Sequence, residues 1–274
     1  MQTTKISVIG SGNMGGAMLR GWARANAEGL ASLHLTATAK TSAKLEQLRA
    51  EWPEVATTLS NTAAVAEADV VVLAVKPWFV ADVVREIKPV LDARAAKPVV
   101  VSVVANLDNA ALRELFGPAI PAVYAMPNIA AAYGESMTFV EEAAGTPNSE
   151  TAASATETAA SLLRHLGEVR IVSSRLMAPG MMMAGCGIAY VMRYVRAMME
   201  GGVEMGFYPH DARDIALQTM AGAVSLLRST GLHPEAAIDK VTTPGGITIK
   251  GLNALDHAGF NSAVIRSLKA GMEK

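Results

Sequence analysis

Short apolar runs alternate with amphipathic stretches along the chain as far as Val172, and beyond Ser173 no convincing strand pattern remains. Lys5–Ile9 is a β run ending at Gly10. It is followed by Met14, Ala17, Met18, Gly21, Trp22 and Ala25, spaced three and four apart as on one face of a helix. His34–Thr38 reads as a second strand, and Ser42–Trp52 as a second helix with Leu45 and Leu48 turned inward. Asp69–Val75, Val99–Val104 and Ala122–Met126 are further strands, with a helix over Val80–Leu91. Runs without polar alternation suit parallel strands covered by helices on both faces. Strand alternating with helix predicts an α/β fold with a Rossmann-type doubly wound sheet.

Gly145, Thr146, Pro147 and Asn148 form a turn cluster, then Thr151–Leu166 reads as a helix and Glu168–Val172 as a short strand returning to the sheet. The remainder reads as helices broken at Gly206–Pro209, Gly231–Pro234, Pro244–Gly246 and His257–Gly259. The expected organisation is a dinucleotide-binding domain over 1–172 and an all-helical domain over 173–274. Leu176–Met192 holds 17 residues without a charge, but it includes Pro179 and three glycines. A membrane span needs roughly 20 apolar residues, so a buried interface helix is expected instead.

Composition narrows the function classes. With 274 residues, 51% hydrophobic and 18% charged, the chain can build sizeable cores and is not disordered. Twenty-four basic and 25 acidic residues leave a net charge of -1, so nothing favours a nucleic-acid partner. Cys186 is alone, which excludes an intrachain disulfide and fits a reducing compartment. No apolar signal segment precedes the first strand, so a cytoplasmic location is expected. The five histidines are scattered without ligand spacing, and no metal is expected.

Gly10-Ser-Gly12-Asn13-Met14-Gly15 matches G-x-G-x-x-G between a strand and an amphipathic helix, the context that gives this pattern meaning. The first glycine makes the tight turn, the second admits the pyrophosphate and the third allows close packing. The helix N-terminus then offers N–H groups and a positive dipole end to the phosphates. An NAD site places an acid about 20 residues later on the ribose 2′-hydroxyl. Here the second strand ends Thr36-Ala-Thr38-Ala-Lys40-Thr41-Ser42. With no acid, and with Lys40 and the Thr38, Thr41 and Ser42 hydroxyls, NADPH is expected, and NADH more weakly. Ala74-Val75-Lys76-Pro77 closes the next buried strand, where it would line the cofactor cleft.

Several segments together resemble the pyrroline-5-carboxylate reductase family over nearly the whole chain. Ile9–Ala17, Ala74–Pro77 and Met126-Pro-Asn128 are similar to its dinucleotide-domain motifs, in the same order. Gln218-Thr219 and Gly222 resemble a motif of its helical half, and Val241–Leu252 with Leu255-Asp256 is close to its signature. The resemblance implies a C-terminal all-helical dimerisation domain, a homodimer or larger dimer-based assembly, and an active site shared between subunits. It implies reduction of the cyclic imine 1-pyrroline-5-carboxylate to L-proline, the last step of proline biosynthesis. Thr248 matches the threonine that hydrogen-bonds the ring nitrogen, and Pro244, Gly245 and Gly246 the turn that receives the carboxylate. Asn128, Gly185 and Gly187 complete the substrate-side expectation. A protonated imine is already electrophilic, so the chemistry needs orientation and carboxylate binding more than a strong base.

The chain departs from the family where an acid and the motif T-A-L-S-G-S-G-P-A-Y open the long interface helix. Ala178–Tyr190 keeps the glycines and the Ala-Tyr but carries three methionines in a row. Trp78 and Ile129-Ala130 are further changes. Methionine is an adaptable filler, which allows neutral repacking. A more apolar pocket for a different cyclic imine, or a non-catalytic NADPH-binding paralogue, are the alternatives. A β-hydroxyacid dehydrogenase would place a lysine in the helical half, and none occurs between Arg175 and Lys240.

Overall fold

In the computed structural model, residues 3–143 and 149–272 are described, so the turn cluster at Gly145–Asn148 lies outside them. The strands are β1 (Thr4–Ile9), β2 (Leu33–Thr38), β3 (Ala56–Thr58), β4 (Val70–Leu73), β5 (Val99–Ser102), β6 (Ala122–Met126), β7 (Ser136–Glu141) and β8 (Gly167–Val172). They form one sheet in the order β3-β2-β1-β4-β5-β6-β7-β8. Strands β1 to β6 are parallel, β7 runs antiparallel to β6, and β8 pairs in parallel with β7. The order reverses at β1 and β4, and a crevice beyond their carboxyl ends is where such a sheet binds ligands.

Alternate side chains of each strand enter opposite cores. Val70 and Val72 join Ile6, Val8 and Val101 on one face, beneath α1 (Asn13–Ala27), α2 (Ser42–Glu51) and α6 (Ser149–Arg164). Val71 and Leu73 join Ile9 and Val100 on the other, beneath α3 (Asn61–Val65), α4 (Val80–Ala93) and α5 (Asn109–Phe116). This two-sided burial is why the strands read as continuous apolar runs. Trp22 of α1 is fully buried, and its indole N–H donates to the Leu162 carbonyl at 3.1 Å, fixing α1 against α6.

Strand β8 returns to the sheet as its sequence predicts. Strands β3 and β7 were not expected. In β7 the most buried positions include Ser136, Thr138 and Glu141, while Met137 and Phe139 are only half-buried. The hydroxyls of Ser136 and Thr138 are satisfied by each other at 3.1 Å, and the Ser136 hydroxyl also accepts from the Asn128 N–H at 3.0 Å. A polar residue on the core side hides the strand from a hydrophobic-pattern reading.

The chain divides into two units, Met1–Gly185 and Cys186–Lys274. The break falls inside the segment expected to form one interface helix. Ser174–Gly180 is α7, Met181–Cys186 is a π-helical turn, and Gly187–Glu204 is α8. Gly180 sits against the Phe139 ring, whose Cγ would be 2.8 Å from an added Cβ.

The elements among the described residues of the second unit are all helices: α8, α9 (Pro209–Thr230), α10 (Pro234–Lys240), α11 (Ile247–His257) and α12 (Phe260–Ala270). A Cβ at Gly202 would lie 3.0 Å from that of Ala212, so α8 and α9 approach closely there. Tyr190 donates to the Ser267 carbonyl at 3.1 Å, tying α8 to α12. Among the described residues of this unit only Gly187, Gly202, Ala212 and Ala216 are buried, and larger apolar side chains such as Ile215, Leu217, Val224 and Ile265 are exposed. No described helix is long and apolar enough to cross a membrane.

Candidate functional site

The glycine turn between β1 and α1 is built so that each glycine answers a different constraint. Gly10 has φ +102°, and a Cβ there would meet the Ala74 carbonyl oxygen at 2.8 Å. Gly15 lies so close to Gly10 that its Cβ would stand 2.0 Å from the Gly10 carbonyl oxygen. Gly12 is the N-cap of α1 and makes no side-chain cap, and a Cβ there would meet nothing within 4 Å. The first turn of α1 therefore presents its N–H groups and positive dipole end to open space beside Gly12.

That space is a cleft of about 700 Å³. Gly10, Gly12, Asn13 and Met14 line it from the turn, and Gly15 does not, because it packs behind. Thr38 and Lys40 line it from the end of β2, and Ala74, Val75, Lys76 and Pro77 from the end of β4. Lys44, Asn61, Phe79 and Ile129 also line it; Ile129 stood out in the sequence only as a departure from the family motif, and the other three were not singled out. All but Ile129 follow the carboxyl ends of β2, β3 and β4, so the strand-end rule points to them once β3 is known. Among the described residues no carboxylate lines the cleft, while Lys40, Lys44 and Lys76 all do.

Thr38 is buried and already engaged. Its hydroxyl donates to Asn61 Oδ1 at 2.8 Å and accepts from the Gly10 N–H at 3.3 Å. Its carbonyl accepts from the N–H and hydroxyl of Ser11 at 2.8 and 2.7 Å. Asn61 is held in turn by Glu86 at 2.9 Å. The Thr38 hydroxyl hydrogen is thus directed to Asn61, and the residue shapes the glycine turn. With that hydroxyl directed to Asn61, the other side-chain donors near the end of β2 are Lys40, Thr41, Ser42 and Lys44. The Lys40 ammonium lies 3.1 Å from the centroid of the Phe79 ring, a cation–π contact linking two walls of the cleft. Trp78 beside it is largely exposed, its ring 5.9 Å from that of Phe79.

Asn128 is buried, and its side chain holds local structure. Its Oδ1 accepts from the Ala130 N–H at 3.0 Å, capping the 3-10 turn Ile129–Tyr133. Its Nδ2 donates to the Ala184 carbonyl at 3.3 Å, beside Gly185 in the π-helical turn. Ile129, the next residue, lines the cleft. Within that turn Met182 is buried and Met183 is 69% exposed.

Gly187, Pro244, Gly245, Gly246 and Thr248 belong to the second unit. Gly245 has φ +72°, and Gly246 is the N-cap of α11 with no side-chain cap. A Cβ at Gly246 would meet the Thr243 hydroxyl at 2.6 Å. Thr248 is exposed in the first turn of α11, next to Ile247, which is 87% exposed. An uncapped helix start with an exposed hydroxyl can receive a carboxylate and a hydrogen-bonding group together. Among the described residues no cluster of three or more His, Cys, Asp or Glu could hold a metal ion.

Comparison with known proteins adds independent findings. A family model described as pyrroline-5-carboxylate reductase dimerisation matches residues 174–274, and one described as NADP oxidoreductase coenzyme F420-dependent matches residues 5–106. The chain is 31% identical to pyrroline-5-carboxylate reductase 2 of Dictyostelium discoideum, over 98% of this chain and 91% of that one. It is 34% identical to pyrroline-5-carboxylate reductase 1 of the same organism over 98% of its own length, and spans about half (49%) of that relative. Among solved structures, Plasmodium falciparum pyrroline carboxylate reductase with NADP bound shares the fold at a TM-score of 0.81. The two are 23% identical, over 98% of this chain and 95% of that one.

Proposed function

The chain belongs to the pyrroline-5-carboxylate reductase family, and from that membership we propose that it reduces 1-pyrroline-5-carboxylate to L-proline with NADPH. The observation that carries the cofactor half is the cleft, lined among the described residues by three lysines and no carboxylate, opening on the bare N-terminus of α1. The residues fit a dinucleotide, because Gly12 leaves open the space that a Cβ would fill. The absence of an acid at the end of β2 favours NADPH over NADH. The similar Plasmodium falciparum protein carries NADP.

The dinucleotide, when bound, supplies the hydride that reduces the imine carbon. The glycine turn and the first N–H groups of α1 hold its pyrophosphate, and Ala74–Pro77 supports the same cleft. On the substrate side, the Pro244-Gly245-Gly246 turn receives the carboxylate at the start of α11, and the Thr248 hydroxyl hydrogen-bonds the ring nitrogen. Asn128 positions the π-helical turn, with Gly185 and Gly187 keeping side chains out of the way. The protonated imine needs no strong base, so the protein acts by orientation and by excluding water.

In this reading residues 1–172 hold the cofactor and 173–274 serve dimerisation and substrate binding, the latter span nearly coinciding with the dimerisation match. The assembly is a homodimer or a larger oligomer of dimers, located in the cytoplasm, with a small imine carboxylate and no nucleic acid as partner. A second reading keeps the chemistry and changes the imine. It is favoured by Met183, exposed in a segment tied through Asn128 to the turn beside the cleft.

Thr248→Ala tests the mechanism alongside wild type. Wild type should form proline, and the variant should lose about 10-fold or more in kcat while its NADPH affinity stays within about 2-fold. Equal losses in turnover and in cofactor affinity would contradict the role given to Thr248.

A further inference from the structure

A smaller cavity of about 150 Å³ adjoins the cleft between α1 and α2. Gly12, Asn13 and Lys44 line both, so it is a side chamber of the cleft. Arg20 from α1 and Gln47 from α2 complete its polar wall. The chamber has room for a phosphoryl group and a few waters, and none for a further nucleoside.

Its charge comes from one residue. Arg20 folds back over Gly16, where an added Cβ would stand 3.1 Å from its Nη1. Its guanidinium is hydrogen-bonded to Glu51 at 2.5 and 3.1 Å, a contact that raises the Arg20 pKa and lowers that of Glu51. Glu51 thereby neutralises Arg20. Lys44 has no ion-pair partner among the described residues. Lys40, the other lysine at this end of the cleft, is drawn onto the Phe79 ring. The Thr38 hydroxyl is committed to Asn61.

We propose, on the basis of the NADPH reading above, that this chamber receives the phosphate on the adenosine ribose, and that Lys44 distinguishes the phosphorylated cofactor from the unphosphorylated one. Lys40 then serves mainly to hold Phe79 against the cleft wall.

Calorimetric titration with NADP+ and NAD+, which differ only in that phosphate, tests this on wild type, Lys44→Gln and Lys40→Gln. Melting temperatures check that each variant is folded. Lys44→Gln should weaken NADP+ by about 10-fold or more and NAD+ by less than about 2-fold. Lys40→Gln should change the NADP+/NAD+ ratio less than Lys44→Gln does. A ratio unchanged in Lys44→Gln, or a preference that collapses in Lys40→Gln instead, would overturn the assignment. Equal wild-type affinity for the two nucleotides would remove the phosphate site and leave dinucleotide binding standing. Failure of wild type to bind either would remove both.

Discussion

Gly12 and Gly15 belong to one motif, yet a methyl group at each would meet very different surroundings. At Gly15 it would stand 2.0 Å from the Gly10 carbonyl oxygen, and at Gly12 it would meet nothing within 4 Å. Gly15→Ala should therefore lower both the melting temperature and NADPH affinity. Gly12→Ala should move the melting temperature by no more than about 3 °C, the scale of a weakened N-cap, while NADPH affinity falls by about 10-fold or more. Matching stability losses in the two variants, or NADPH affinity retained in Gly12→Ala, would refute this division. At this scale the glycines, Lys40 and Ala74–Pro77 were legible because their motif lies between a recognisable strand and helix. Lys44 and Asn61 were not, since a lone lysine on an amphipathic helix and an asparagine after an unread strand carry no pattern of their own.

Elements were legible where burial and hydrophobicity coincide. Strands β4 and β5 are apolar along nearly their whole length because both faces are covered, and they could be read directly. Strand β7 could not, because its core-facing Ser136 and Thr138 satisfy one another and its more apolar Met137 and Phe139 are less buried. The segment from Leu176 to Met192 was read as one helix. The structure divides it with a π-helical turn at Met181–Cys186, whose Ala184 carbonyl accepts from Asn128. Apolar spacing does not reveal such a turn, since one extra residue per turn leaves every side chain apolar. π-Helical turns occur often at functional sites. The exposed Met183 makes this turn the place where a changed imine preference would arise.

The two units meet their burial requirements differently. The first has a core on each face of its sheet, whereas the buried side chains of the second are only glycine and alanine among the described residues. A helical unit that leaves Ile215, Leu217, Val224 and Ile265 exposed cannot cover its own apolar surface. The match of residues 174–274 to a dimerisation family gives that surface its occupant, a second copy of the chain. Light scattering should show at least a dimer, and a stable monomer would contradict this account. The two-domain α/β and helical plan was readable from the point where strands cease. The need for a partner showed as a charge-free stretch and through the family resemblance, but not as a surface, because sequence does not say which apolar faces stay open. Whether the cleft serves proline formation is decided most directly by steady-state turnover. NADPH oxidation is followed on adding 1-pyrroline-5-carboxylate, with proline identified as product and NADH run in parallel. The account predicts rapid turnover to proline, with higher kcat/KM for NADPH than for NADH. NADPH that binds but is not oxidised, or oxidation that yields no proline, would contradict it.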